Sequence, residues 1–251
     1  MGYKKNFLKQ VIARIDFLNP FEVLTEQNIV GVVTEIKKRF PITEKSTRFE
    51  QTLEFKFSPK EDANYKTQRN EFPEWIFHGI DREKTVKINQ RCWQVVLTKF
   101  KSKADFQDDL MLPLSHVIKL MPNHLVGRTG VRFINIFDFE IEKFEEINQY
   151  FSDGISKHIE RIADLEKCTR SFLVNEFMFD DIKMRVQSGL FNPDYPAIIK
   201  KRYFLIDLDA YIDFPHTIND INGYFETFYK TINKTFEDCI TDKLRSMVLN
   251  G

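Results

Sequence analysis

The stretch GRTGVRFINIFDFEI, Gly127–Ile141, decides how the chain is read. Its apolar residues are mostly β-branched or aromatic, the composition of a strand. Successive side chains of a strand point to opposite faces. Val131, Phe133, Asn135, Phe137 and Phe139 therefore share one face; Arg132, Ile134, Ile136 and Asp138 share the other. Apolar residues on both faces indicate a central strand. It is either covered on two sides, or covered on one and lining a groove with the other. Arg132 and Asn135 are polar groups set in its middle, and each needs a partner there.

A second segment of this kind is KQVIARIDFLNP, Lys9–Pro20, where Arg14 and Asp16 share a face with Ile12 and Leu18 and Asn19-Pro20 ends the strand. Between the two, Thr25 is placed to cap a helix with Ile29, Val32, Val33 and Ile36 on one stripe, closed by Pro41. Strands follow at Phe49–Ser58, Phe72–Gly79, Lys84–Asn89 and Cys92–Phe100, with DREK and NQR as turns. Helical spacing from Lys103 to Met121 (Phe106, Leu110, Leu114, Val117) ends at Pro122.

Beyond Gly127 the order recurs. A helix carries Phe144, Ile147, Tyr150, Phe151 and Ile155, strands span Ser171–Phe179, Ile182–Leu190 and Ile199–Asp213, and a last helix begins near His216. An offset of 118 carries Arg14-Ile15 to Arg132-Phe133, one of 122 carries EFKF (Glu54–Phe57) to EFMF (Glu176–Phe179), and one of 111 carries Leu110, Leu114, Val117 and Met121 to Ile221, Phe225, Phe228 and Ile232. The chain is expected to be one α+β domain of two pseudo-repeats, 1–124 and 125–251. Each half is β-α-β(3-4)-α, with an antiparallel sheet packed on helices. That order resembles the half-repeat of the TATA-binding-protein-like fold, and also helix-grip ligand-binding domains. Neither likeness implies a function.

Lys+Arg and Asp+Glu number 37 each, so the net charge is zero, which argues against a dedicated nucleic-acid binder. The runs KFKSK (Lys99–Lys103) and KKR (Lys200–Arg202) read as solvated faces or strand ends. Twenty-five phenylalanines point to a Phe-filled core. Cys92, Cys168 and Cys239 are odd in number and lack metal-ligand spacing, which fits a reducing compartment. MGYKKNFLKQ lacks a signal-peptide core, Asn6 breaks the myristoylation pattern, and no apolar run is long enough to span a bilayer; a cytoplasmic location is expected.

The motifs RTGVRFINI, LIDLDAYIDF and FEDCITDKL resemble, over essentially the whole chain, an uncharacterised, sporadically distributed family of bacterial and archaeal proteins. The usual signature has Tyr where Phe133 or Phe137 stands here. No activity is assigned to that family, so no catalytic residue carries over. Its patchy distribution implies defence or mobile-element gene neighbourhoods.

The candidate binding residues are Arg14, Asp16, Arg132 and Asn135. If the first strands of the halves pair across a pseudo-twofold, the two arginines approach each other. One reading pairs them internally with Asp16 and Asp138, since buried charge needs a counter-charge. The other makes them an anion site, because guanidinium suits carboxylate or phosphate. In LIDLDAYIDF, Asp207, Asp209, Tyr211 and Asp213 share a face, and Asp207 and Asp209 are weak candidates for catalysis or a divalent metal. The matching first-half strand, VVLTKF, puts Thr98 at Asp209's place. No histidine sits at HxxxH spacing and no nucleophile or phosphate-loop motif occurs, so no cofactor or metal is expected. The last apolar stripe, 216–248, would form a helix roughly 50 Å long at about 1.5 Å per residue, available for self-association or a partner. The expected function is a non-enzymatic binding or assembly module for a protein partner or an anionic small ligand. A metal-dependent hydrolase and a nucleic-acid saddle are the alternatives.

Overall fold

The computed structural model describes residues 7–20, 26–58, 61–120, 122–138, 146–162, 164, 167–201 and 203–250, with backbone alone for 26–29, 50–58, 61–68, 70 and 248–250. The expectations placed on the first six residues, Thr25, Met121, Phe139, Phe144 and Arg202, and on the side chains of Ile29, 54–57 and Val248, lie outside it. The central strands are β1 (Leu8–Phe17) and β6 (Leu125–Phe137). β1 alternates from Val11 on, with Val11, Ala13, Ile15 and Phe17 buried and Ile12, Arg14 and Asp16 between them half-buried, and β6 does so from Val131 to Phe137.

The other strands are β2 (Ile42–Ser58), β3 (Glu61–His78), β4 (Lys84–Ile88), β5 (Cys92–Leu97), β7 (Ser171–Phe179), β8 (Ile182–Phe191), β9 (Tyr203–Ile212) and the short β10 (His216–Thr217). They form one sheet in the order β2-β3-β4-β5-β1-β6-β9-β8-β7, with β10 added to β6. All pairings are antiparallel. β1 and β6 lie side by side, with Ala13 opposite Val131. Outward from that pair, the strands run backwards along the chain: β5, β4, β3, β2 on one side and β9, β8, β7 on the other.

One face of the sheet carries the helices. α1 (Glu26–Lys37) packs on α2 (Lys103–Leu120), and α5 (Ile221–Cys239) lies on β6, β9 and β8. Phe106 of α2 and Phe225 of α5 meet at 5.2 Å between ring centres, over the β1/β6 seam. The Phe-rich composition is spent on this layer: Phe77, Phe106, Phe137, Phe151, Phe204 and Phe228 are all fully buried. Buried Asp109 on α2 is held by Arg39 and Lys84, at 2.8 and 2.9 Å.

Three elements differ from the sequence expectation. The last apolar stripe is not one rod: α5 ends at Cys239, Ile240 is extended and bridges Phe151, and α6 (Asp242–Asn250) starts afresh. Its side chains go into the same molecule, with Ile240 5% and Leu244 0% exposed. The helix expected through Ile147–Ile155 is two single turns, α3 (Ile147–Tyr150) and α4 (Asp153–Ser156), divided where Phe151 leaves the helix for that bridge; Ser152, Asp153 and Gly154 favour caps and turns over helix interior. The β2–β3 hairpin runs much further than read, from Ile42 opposite His78 to Ser58 opposite Glu61, while β3 meets β4 only over Trp75–His78. Over Glu61–Glu74 β3 therefore pairs with β2 alone.

Candidate binding face

On β1, β6, β9 and β8 the residues between the core positions form a second face, which carries no helix among the described residues. It is half-buried rather than dry: Ile12, Arg14 and Asp16 on β1, Arg132, Ile134 and Ile136 on β6, and Asp209 and Tyr211 on β9 are all of intermediate exposure. The polar candidates divide accordingly. Arg14, Asp16, Arg132, Asp207 and Asp209 are on this helix-free face. Asn135 is on the other, 6% exposed, where its Nδ2 donates to the Ile206 carbonyl at 3.2 Å. Asn135 holds β6 to β9 and is not part of one cluster with the arginines.

The arginines do sit beside the central seam. Arg14 lies opposite Gly130 and Arg132 opposite Ile12, so they are diagonal neighbours on adjacent strands. In an antiparallel ladder that spacing is about 7–8 Å. Each is engaged by a carboxylate. Arg14 Nε donates to Asp16 Oδ1 at 2.8 Å. Arg132 is held in a two-pronged bond by Asp207, Nε to Oδ1 at 2.7 Å and Nη2 to Oδ2. The expected partner Asp138 instead meets Lys9 at 3.5 Å, because it follows β6 at the exposed margin. Asp207 is 5% exposed, whereas the Arg132 side chain keeps 40% of its surface. This bond raises the Arg132 pKa above its ordinary value, against the effect of partial burial.

A third pair was not foreseen. Arg128 Nη2 donates to Asp209 Oδ2 at 3.0 Å, and its guanidinium lies 4.4 Å over the Tyr211 ring. Gly130 makes this geometry feasible. A Cβ there would stand 2.8 Å from Tyr211 Cβ and 3.4 Å from Arg128 Nη1. The GRTG segment is therefore strand, and its second glycine lets Arg128 cross to β9. A same-face reading of 128, 130 and 132 would have found it. At Asp209's position relative to the seam, the first half has Gln94 opposite Arg14, not Thr98.

Burial pushes the Asp209 carboxyl above its ordinary value; Arg128 and Arg132 pull it down and Asp207 pushes it up again. The folded state therefore holds this proton more tightly than the unfolded chain does. As pH rises through the window from 3.8 upward, ionising Asp209 subtracts from stability. Asp209→Asn is expected to flatten the stability–pH curve in that window, measured by urea unfolding at stepped pH. An unchanged slope contradicts the assignment.

His216 is in β10, directly before Thr217, which caps the helical turn leading into α5: its Nδ1 donates to the Phe214 carbonyl at 2.9 Å, and Nε2 accepts from the Thr129 hydroxyl at 2.8 Å in the neutral ring. Cys92 and Cys239 are free and buried, and burial raises both thiols, Cys239 to about 12. Among the described residues no three His, Cys, Asp or Glu side chains gather as metal ligands, and no helix is long and apolar enough to cross a membrane. No protein-family model matches the chain, and no curated protein matches it.

Proposed function

We propose that the chain is a non-enzymatic binding module whose helix-free sheet face receives a protein partner, centred on the Arg14–Asp16 and Arg132–Asp207 pairs. The observation that carries this is the make-up of the face. The Arg14, Arg128 and Arg132 charges near its centre are each matched by a carboxylate and interleaved with half-buried isoleucines, the mixture that suits a polypeptide surface. A polyanion would need an unpaired basic field, so the saddle reading of nucleic-acid binding is the weaker one. The hydrolase reading needs Asp207 and Asp209 as ligands or acid and base, and it would first have to free them from Arg132 and Arg128.

The fold behind this face we take to be a doubled unit of the TATA-binding-protein-like kind. Two features favour it: the mirrored strand order about β1/β6, and the seam pair Ala13–Val131, separated by the same 118 residues that relate Arg14 to Arg132. A cytoplasmic accessory role in a defence or mobile-element system fits the family resemblance.

The test uses the tagged full chain in its native cells. Wild type and Lys234→Glu, an exposed change on α5, are expected to retain the same partner protein, and Ile12→Glu/Ile134→Glu to lose it while keeping wild-type circular dichroism. Equal capture by all three overturns the reading. A second reading, an anionic small ligand, draws on the guanidinium groups of Arg14 and Arg132, whose side chains remain 40% exposed despite their pairing. It predicts a phosphate-dependent rise in Tm that Arg14→Gln abolishes.

A further inference from the structure

The two edges of the sheet are built differently. β2 ends one side and presents Glu44, Lys45 and Arg48, charges of the kind that block strand addition. β7 ends the other side, pairs with β8 alone, and receives no further backbone hydrogen bond among the described residues. Among the described residues its outer N–H and C=O groups meet no other strand, the arrangement that admits strand addition. Its side chains do not guard it: Val174, Phe177, Met178 and Phe179 are 45%, 47%, 61% and 42% exposed, and Glu176 is its single charge. Phe177 and Phe179 stack on each other at 6.2 Å without covering either ring.

We propose that β7 is a homodimer interface, in which the β7 of a second copy adds antiparallel through a twofold axis at Asn175 and continues the sheet. The occupant and register follow from charge. Exposed Arg170 precedes the strand, and exposed Asp180 and Asp181 follow it. Antiparallel self-pairing about Asn175 sets Arg170 opposite the partner's Asp180, twice by symmetry, with Phe172 opposite the partner's Met178 and Leu173 opposite the partner's Phe177. A twofold axis normal to the sheet keeps each face on its own side, so the neighbouring allowed centres are Val174 and Glu176. Centring on Glu176 sets two like charges face to face, and centring on Val174 sets Arg170 against a methionine; both are worse pairings. A strand of unrelated sequence has no reason to match these ends. The β7 interface is separate from the face proposed above and stands or falls independently.

Sedimentation velocity on the purified full chain is expected to show a concentration-dependent dimer. Phe177→Lys/Met178→Lys changes only exposed side chains and should weaken it about 100-fold or more with the fold retained by circular dichroism. Asn175→Cys/Cys168→Ser should form an intermolecular disulfide on mild oxidation, since facing residues at the twofold have Cα atoms about 4.5–5.5 Å apart. Lys45→Cys/Cys168→Ser, on the opposite edge, should not. Ile12→Glu/Ile134→Glu should leave the dimer intact. A monomer at every concentration overturns the proposal and leaves the edge to a foreign strand. A dimer unaffected by the lysines, or one that fails to cross-link at position 175, overturns it equally.

Discussion

Arg132→Met is expected to lower the unfolding free energy by about 2–3 kcal/mol, and Arg132→Met/Asp207→Leu to recover most of that loss. Asp207 is 5% exposed and receives both of its strong bonds from Arg132. Removing one partner of a buried pair costs about 3–5 kcal/mol, because the other charge stays behind uncompensated. The Arg132 end keeps 40% of its side-chain surface, so water screens part of the interaction and brings the expected loss down to about 2–3 kcal/mol. Replacing both partners by apolar residues removes the stranded charge and its desolvation cost together. Urea midpoints at pH 7 with unchanged m values measure this. If the single and double variants are equally destabilised, the pair is not what stabilises this part of the face.

Phe151→Ala should cost more, about 3–5 kcal/mol. The ring is fully buried, stacks on Phe204 at 4.1 Å between centroids and meets Phe137 edge-on at 4.8 Å. Its backbone also bridges Ile240 at the point where the C-terminal helix breaks. A cavity there loosens β9, β6 and the docking of α6 at once. Phe151→Leu, which keeps most of the volume, should cost under half as much. Equal losses for the two variants would mean that the break around Phe151, rather than its packing, sets the stability.

The central architecture was legible because strict alternation survives in the strands that matter. Val131, Phe133 and Phe137 against Arg132 and Ile134, and Val11, Ala13 and Ile15 against Ile12 and Arg14, assign both faces without any tertiary information. α2 and β7 were readable to within a residue or two because Pro122 and the Asp180-Asp181 turn punctuate them. The cross-strand partners were not readable. Arg132 and Asp207 are 75 residues apart, and their meeting depends on the register of β6 against β9, which neither strand encodes alone. The break after Cys239 was hidden for another reason. Phe236, Ile240 and Leu244 keep perfect helical spacing, so the apolar stripe continues through the kink. What breaks the helix is tertiary. Ser152 N–H donates to the Cys239 carbonyl at 2.9 Å, Thr241 N–H to Tyr150 O at 3.0 Å, and the Thr241 hydroxyl to Gln149 O at 2.6 Å. Arg128 was missed because the shared faces were read only from Val131 onward, which left out Arg128 and the glycine, Gly130, that its side chain passes over.

The helix-free face, and not the helical layer, is the surface proposed to receive the partner. Site-specific photo-crosslinking in the native cells tests it most directly, with a benzoylphenylalanine at Ile134 on that face or at Lys234 on α5. The account predicts one discrete crosslinked partner from position 134 and none from position 234. Crosslinking from 234 alone, or from neither position while the tagged wild type still retains its partner, would contradict it.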